Sequence, residues 1–206
     1  MGLAETYDKI AKDYSKANYQ TFWKKEFPVF KKMLKGRKVV DLGCGAGRDA
    51  EVFVKNKFDY LGTDISKGMI AIAKKRVPKG QFLVMDLYKL KLPKESFDGF
   101  WAAASLLHIP KSRAGKVLGS IRELLKKNGV GFISLKQKKH LEEGVITQNI
   151  LSGKVMIRPI KRFFAFYTKA EFKKILERSG FRLIKFTIKY WKPDDTTWLC
   201  FFVKKN

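Results

Sequence analysis

Val39-Val40-Asp41-Leu42-Gly43-Cys44-Gly45-Ala46-Gly47 is the stretch on which the architecture of this chain turns. Its first four residues, apolar except for one carboxylate, read as a strand buried on both faces, and the glycines read as a tight turn into a helix. A glycine turn at the carboxyl end of a parallel strand lets backbone approach a nucleotide-like ligand with no Cβ in the way. A dinucleotide fingerprint, G-x-G-x-x-G, needs a glycine or alanine where this chain, counted from Gly43, has Arg48, which disfavours NAD and FAD. A phosphate loop ends in Gly-Lys-Ser or Gly-Lys-Thr, whereas this turn continues Gly47-Arg48-Asp49, which disfavours ATP. Asp41, set in an apolar strand, must find partners if it is buried.

Outward from that turn the elements alternate. Phe58 to Thr63, Gln81 to Met85, Phe97 to Ala104 and Val130 to Leu135 read as further strands with helices between them. Lys111 to Lys127 places Val117, Leu118, Ile121, Leu124 and Leu125 on one helical face and meets a stop signal at Asn128-Gly129. Thr168-Lys169-Ala170-Glu171 is a capping box opening a helix that closes at Ser179-Gly180. Phe181 to Tyr190 and Thr196 to Val203, joined by Lys192-Pro193-Asp194-Asp195, read as a hairpin. Upstream, Glu5 to Met33 reads as helix, with Tyr7, Ile10, Ala11 and Tyr14 in one stripe and Phe27, Phe30, Met33 and Leu34 in another. The expected fold is α/β: a doubly wound, mostly parallel sheet with a closing antiparallel strand, whose ligands bind beyond the carboxyl ends of the strands. Residues 1–206 form one domain in this reading, with a helical cap at 1–35. Gln137 to Phe166, broken by Gly144, Gly153 and Pro159, fits no regular element and is expected to be a lid or substrate-side insertion.

Composition narrows the class. At 206 residues, 45% hydrophobic and 31% charged, the chain has the balance of one globular domain. No apolar run approaches a membrane span, and no basic segment followed by an apolar core opens the sequence, so no membrane partner and a cytoplasmic location are expected. Two cysteines, Cys44 and Cys200, make no disulfide framework, and with only His108 and His140 they offer no ligand cluster, so no metal is expected. The net charge of +25 invites an anionic partner. Lysine, however, supplies most of it, where a phosphate-gripping surface spends arginine.

With the glycine turn and its followers in hand, the chain resembles the class I S-adenosylmethionine-dependent methyltransferases, in particular small single-domain members with Gly-Arg-Asp after the loop. The resemblance runs from Tyr7 to Val203. It matches Val39 to Gly47, then Gly62-Thr63-Asp64-Ile65-Ser66, then Met85-Asp86-Leu87. It continues through Ala102-Ala103-Ala104-Ser105-Leu106-Leu107-His108-Ile109-Pro110, and Lys126-Lys127-Asn128-Gly129-Val130 stands in place of a usual Lys-Pro-Gly-Gly. It implies a seven-stranded Rossmann-like sheet and S-adenosylmethionine as cofactor, leaving as S-adenosylhomocysteine. It also implies that Asp64 takes the ribose hydroxyls and Asp86 the adenine amino group. Ile65, Met69 and Leu87 then supply apolar walls for the ring, Ala103 is a further cofactor-binding residue, and Gly43, Cys44, Gly45 and Gly47 form the loop that Asp41 orders. Arg48 is placed to meet the methionine carboxylate, and Tyr14 to close over the cofactor. A carboxylate accepting two hydroxyl bonds at once is the physical reason for an acid at position 64.

Methyl transfer is an in-line displacement at carbon, so positioning and desolvation carry most of it. His108 is the candidate base. Trp101, Phe163, Phe166, Tyr167, Tyr190 and Trp191 are candidates for an aromatic acceptor pocket. No Asn-Pro-Pro-Tyr or Asp-Pro-Pro-Tyr follows the fourth strand and no Pro-Cys nucleophile is present, which argues against the usual adenine and cytosine chemistries. Ala102 to Ala104 supply no acid for magnesium. A small-molecule O, N or S acceptor is expected. The alternatives are an RNA acceptor held by Lys136, Lys138, Lys139, Lys154, Arg158, Lys161 and Arg162, or a noncatalytic cofactor-binding module paired with another protein.

Overall fold

The computed structural model describes residues 2–17, 22–140, 142–152 and 155–206. A seven-stranded sheet forms its centre, built from β1 (Lys38–Leu42), β2 (Asp59–Asp64), β3 (Gln81–Val84), β4 (Phe97–Ala103), β5 (Leu125–Lys136), β8 (Phe181–Trp191) and β9 (Thr196–Lys205) in the order β3-β2-β1-β4-β5-β9-β8. Only β9 runs against its neighbours β5 and β8, which is the expected closing antiparallel strand.

Period-2 alternation divides the core. Trp101, Phe132 and Phe202 face α2 (Glu26–Met33), α3 (Ala50–Lys55) and α4 (Lys67–Arg76). Their strand neighbours Phe100, Ile133 and Phe201 face α5 (Lys111–Leu124) and α6 (Lys169–Arg178). The capping box at Thr168 and Glu171 forms as expected, and Gly180, with φ +77, closes that helix.

Three expectations change. The single helix expected over Glu5 to Met33 is two: α1 (Leu3–Ala17), which lies over the glycine loop, and α2, whose Phe27 and Phe30 pack on the sheet flank. The helix expected to reach Lys127 ends at Leu124, because Leu125 is fully buried and already pairs with Phe97 in β5. Asn128 does take a left-handed conformation, φ +65, but inside β5 where its register with β4 shifts. Third, the segment that fits no regular element by sequence contains β6 (Glu143–Ser152) and β7 (Val155–Ala165), an antiparallel pair outside the main sheet. Pro159 is tolerated there because a two-stranded pair is all edge. Gly153 lies outside the described residues.

Candidate cofactor and acceptor site

β1 ends in the loop, and β2 holds it: the Gly43 and Cys44 N–H groups both donate to the Thr63 carbonyl, at 2.8 and 2.9 Å. Gly43 (φ +83) lies so close to the turn after β4 that a Cβ would sit 2.4 Å from that of Ser105, whereas a Cβ on Gly45 (φ +53) would meet nothing within 4 Å. One glycine is required by packing and the other leaves open space along the loop. Asp64, at the end of β2, accepts from the Gly45 N–H and the Ser66 N–H, each at 2.9 Å and each on a different oxygen. Both oxygens keep a lone pair for a ligand hydroxyl, and burial raises the carboxyl pKa. The Met85 N–H donates to the Asp64 carbonyl at 2.9 Å, which brings the turn bearing Asp86 and Leu87 alongside. Asp86 caps its own turn through the Tyr88 N–H, and Ile65, Leu87 and Ala103 are half-buried.

Beneath the loop, Asp41 is buried and takes the Tyr60 hydroxyl at 2.7 Å. Burial, and after it the Asp49 carboxylate, push its pKa well up. Arg48 turns its guanidinium onto Asp49 at 2.9 and 3.3 Å, and Asp49 also accepts from the Trp101 indole at 3.0 Å. Asp49 and Trp101 are thus loop supports, a role that sequence reasoning misses. The Gly-Arg-Asp run is the available signal, since its second charged residue is the one turned inward. Cys44 is buried beside them.

Above the loop lies α1. Its Asp8 accepts from the Ser66 hydroxyl at 2.6 Å and the Gly68 N–H at 2.8 Å, docking the helix on the N-terminus of α4. Met69 is buried against Ala11 and Ala46, with Tyr7 and Tyr14 packed on that cluster. By sequence Tyr7 is only a stripe residue, although its stripe is the one that carries Tyr14.

His108 lies in a short 3-10 turn, Leu106–His108, after β4. Its Nδ1 lies 2.7 Å from the Phe163 carbonyl, which can only accept, so Nδ1 carries the proton and Nε2 offers the lone pair. That lone pair accepts the Tyr7 hydroxyl at 2.9 Å. Arg162 of β7 in turn donates to the Tyr7 oxygen at 2.8 Å and to Gln148 of β6 at 2.5 Å. Burial lowers the His108 pKa to about 3, with Arg162 and Lys136 pressing the same way.

The aromatic pocket expected from sequence does not assemble. Trp101 is buried under the loop and Tyr167 in the core, while Tyr190 and Trp191 are exposed on β8. Of the basic residues nominated for RNA, Lys138 pairs with Glu142, Lys139 with Asp195, and Arg162 points inward to Tyr7. Lys154 and the Arg158 side chain lie outside the described residues. Among the described residues no group of three His, Cys, Asp or Glu side chains converges, and no helix is long and apolar enough to cross a membrane.

A strand-end acid beside an open glycine loop, under a tyrosine-bearing helix, is an arrangement able to take a nucleoside's hydroxyls in an α/β fold. A family profile described as a methyltransferase domain matches residues 39–129. The demethylmenaquinone methyltransferase of Thermotoga maritima is 32% identical over 132 residues, covering 60% of this chain and 56% of that protein. The ubiquinone/menaquinone biosynthesis C-methyltransferase of Campylobacter jejuni is 24% identical over 220 residues, covering 89% and 91%. The CcbJ methyltransferase of Streptomyces caelestis superposes with a TM-score of 0.80 over 100% of this chain and 99% of that one at 14% identity, a likeness of fold. Relatives at 30% and 32% identity are matched over only 41% to 59% of their own length. In the matched sequence and in its fold, the chain is similar to the class I S-adenosylmethionine-dependent methyltransferases.

Proposed function

We propose that this chain transfers a methyl group from S-adenosylmethionine to a small-molecule acceptor by in-line displacement. The observation that carries the reading is Asp64, whose two oxygens are fixed by backbone N–H groups beside the open side of Gly45 while each retains a lone pair. Asp64 holds the ribose, Asp86 the adenine amino group, Ile65, Met69, Leu87 and Ala103 the ring, and the loop over Asp41 the methionine part. When bound, the cofactor supplies an electrophilic methyl on a sulfonium. Tyr7, Tyr14 and the β6–β7 pair, acting as a lid, exclude water from the acceptor side. His108, with its lone pair taken by Tyr7 and its cationic form disfavoured, acts as a positioning residue for that hydroxyl and not as a base. The Campylobacter relative is named a C-methyltransferase, so carbon joins O, N and S among the acceptor atoms to test.

Calorimetry with S-adenosylmethionine and S-adenosylhomocysteine is expected to give low-micromolar affinity, about −8 kcal/mol. Labelled methyl from the cofactor is then followed into a panel of phenols, amines, thiols and quinols beside tRNA and rRNA fragments. Label in the small-molecule fraction supports the reading. Label in RNA alone overturns the acceptor class, cofactor binding with no transfer to any of these supports the noncatalytic module, and binding of NAD in place of both ligands overturns the whole reading.

A further inference from the structure

Arg162 is a half-buried guanidinium to which the described residues bring no carboxylate. Its donors go to the neutral oxygens of Tyr7 and Gln148, with the Tyr14 hydroxyl also within reach, and its Nε–H is buried with no hydrogen-bond partner. Three rings enclose it: Phe164 at 5.1 Å from the guanidinium carbon, Tyr7 at 5.5 Å and Tyr14 at 5.9 Å. Lys136, 5.2 Å from the Phe164 ring centroid, adds positive charge to the same corner, and His108 meets it in neutral form. A guanidinium withdrawn from water without a counter-charge is costly, whereas a planar fork of donors matches a carboxylate bidentately.

From this geometry we infer that Arg162 is the anion-binding residue of an acceptor subsite, and that the methyl acceptor is a small organic carboxylate whose body rests on Tyr7 and Tyr14, with Phe164 backing the guanidinium from the core. That the ligand is a methyl acceptor rests on the methyl-transfer reading; that it is a carboxylate rests on Arg162 alone. Placement separates this carboxylate from that of the cofactor. The glycine loop lies over β1 and β2, with Arg48 after Gly47 turned onto Asp49, whereas Arg162 enters from β7, next to the Phe163 carbonyl that fixes His108. A ring-enclosed guanidinium bonded to a tyrosine also does not offer the open surface that a nucleic-acid backbone needs.

The test uses the whole chain saturated with S-adenosylhomocysteine and titrates benzoate and hexanoate against their neutral amides. The carboxylates are expected to bind at least tenfold tighter than the amides. R162Q is expected to reduce that preference below twofold with S-adenosylhomocysteine affinity within threefold of wild type, which also shows that the variant folds. R162K, which keeps the charge but not the fork, is expected to fall between. Equal binding of carboxylate and amide, no binding of either, or an undiminished preference in R162Q overturns the inference. A loss of tenfold or more in cofactor affinity in R162Q also overturns it, because the anion would then be the cofactor's own. If wild type binds neither cofactor form, the methyl-transfer reading fails by itself, and the same titrations on the free chain still decide whether Arg162 selects carboxylates.

Discussion

The two sides of the cleft are assembled in different ways. The sheet side is a product of one compact run: β1, its loop and β2 place Asp41, Gly45 and Asp64 within 24 positions, and backbone bonds from Gly43, Cys44 and Gly45 lock them together. The cap side joins Tyr7, His108 and Arg162 across separations of 101 and 155 residues through side-chain bonds, with the Phe163 carbonyl holding the imidazole. Backbone-locked groups keep their geometry before any ligand arrives, whereas a side-chain clamp between a helix, a turn and a two-stranded pair opens by rotating a few torsions. The sheet side is therefore suited to holding a constant cofactor, and the cap side to admitting and enclosing an acceptor.

The largest effect is expected on the sheet side. Asp64→Ala removes the carboxylate proposed to accept both ribose hydroxyls and should lower cofactor affinity by about 2 to 4 kcal/mol, measured as the S-adenosylhomocysteine dissociation constant. An unchanged constant would mean that affinity resides in the cap, reversing the division of labour between the two sides.

That division also explains what the sequence discloses. Strand-end acids and positive-φ glycines follow local rules, so Asp64, Asp86 and the loop can be nominated from spacing and resemblance. The outcome at residues 111–136 shows where local rules stop. Asn128-Gly129 is a genuine left-handed signal, yet burial of Leu125 in the sheet and the ion pair of Lys126 with Asp98 at 2.9 Å draw the chain into β5 before that signal is reached. Gly144 and Pro159 likewise read as breaks but sit within paired strands, because an all-edge pair does not need every N–H. The Arg162–Tyr7–His108 clamp is out of reach for a different reason: no periodicity links three residues on three unconnected elements, and by sequence Arg162 is one more cation in a basic segment.

A smaller effect, of opposite kind, is expected from the cap. The His108 pKa is lowered from an ordinary 6.5 to about 3, burial being the main cause. The folded chain resists a proton that the unfolded chain accepts, so the stability tied to this group is complete above pH 6.5 and is lost as pH falls toward 3. Between pH 8 and pH 5 this amounts to about 2 kcal/mol. Urea unfolding at the two pH values should show wild type losing that much more than His108→Gln. Equal losses would place the imidazole in contact with water and remove the basis for treating the clamp as closed.

The smallest effect is expected at the outer rim of the cap. Lys138 and Lys139 are spent on Glu142 and Asp195, and Lys161 is exposed, so none of the three reaches the ring-enclosed corner around Arg162. Exposed pairs of this kind contribute little, and changing all three lysines to Gln should leave small-molecule turnover within about twofold of wild type. An RNA acceptor requires the opposite result. Each phosphate that the chain ceases to neutralise would lower the slope of log affinity against log salt by about 0.7 for a single strand, so a steep slope that collapses in the triple variant would move the acceptor from the enclosed corner to the rim. The two outcomes differ because a half-buried, ring-enclosed guanidinium selects a ligand that fits between the rings, whereas surface lysines select by charge density along a polyanion. The absence of a carboxylate around Arg162 among the described residues, set against the carboxylates already paired with Lys138 and Lys139, favours the enclosed corner.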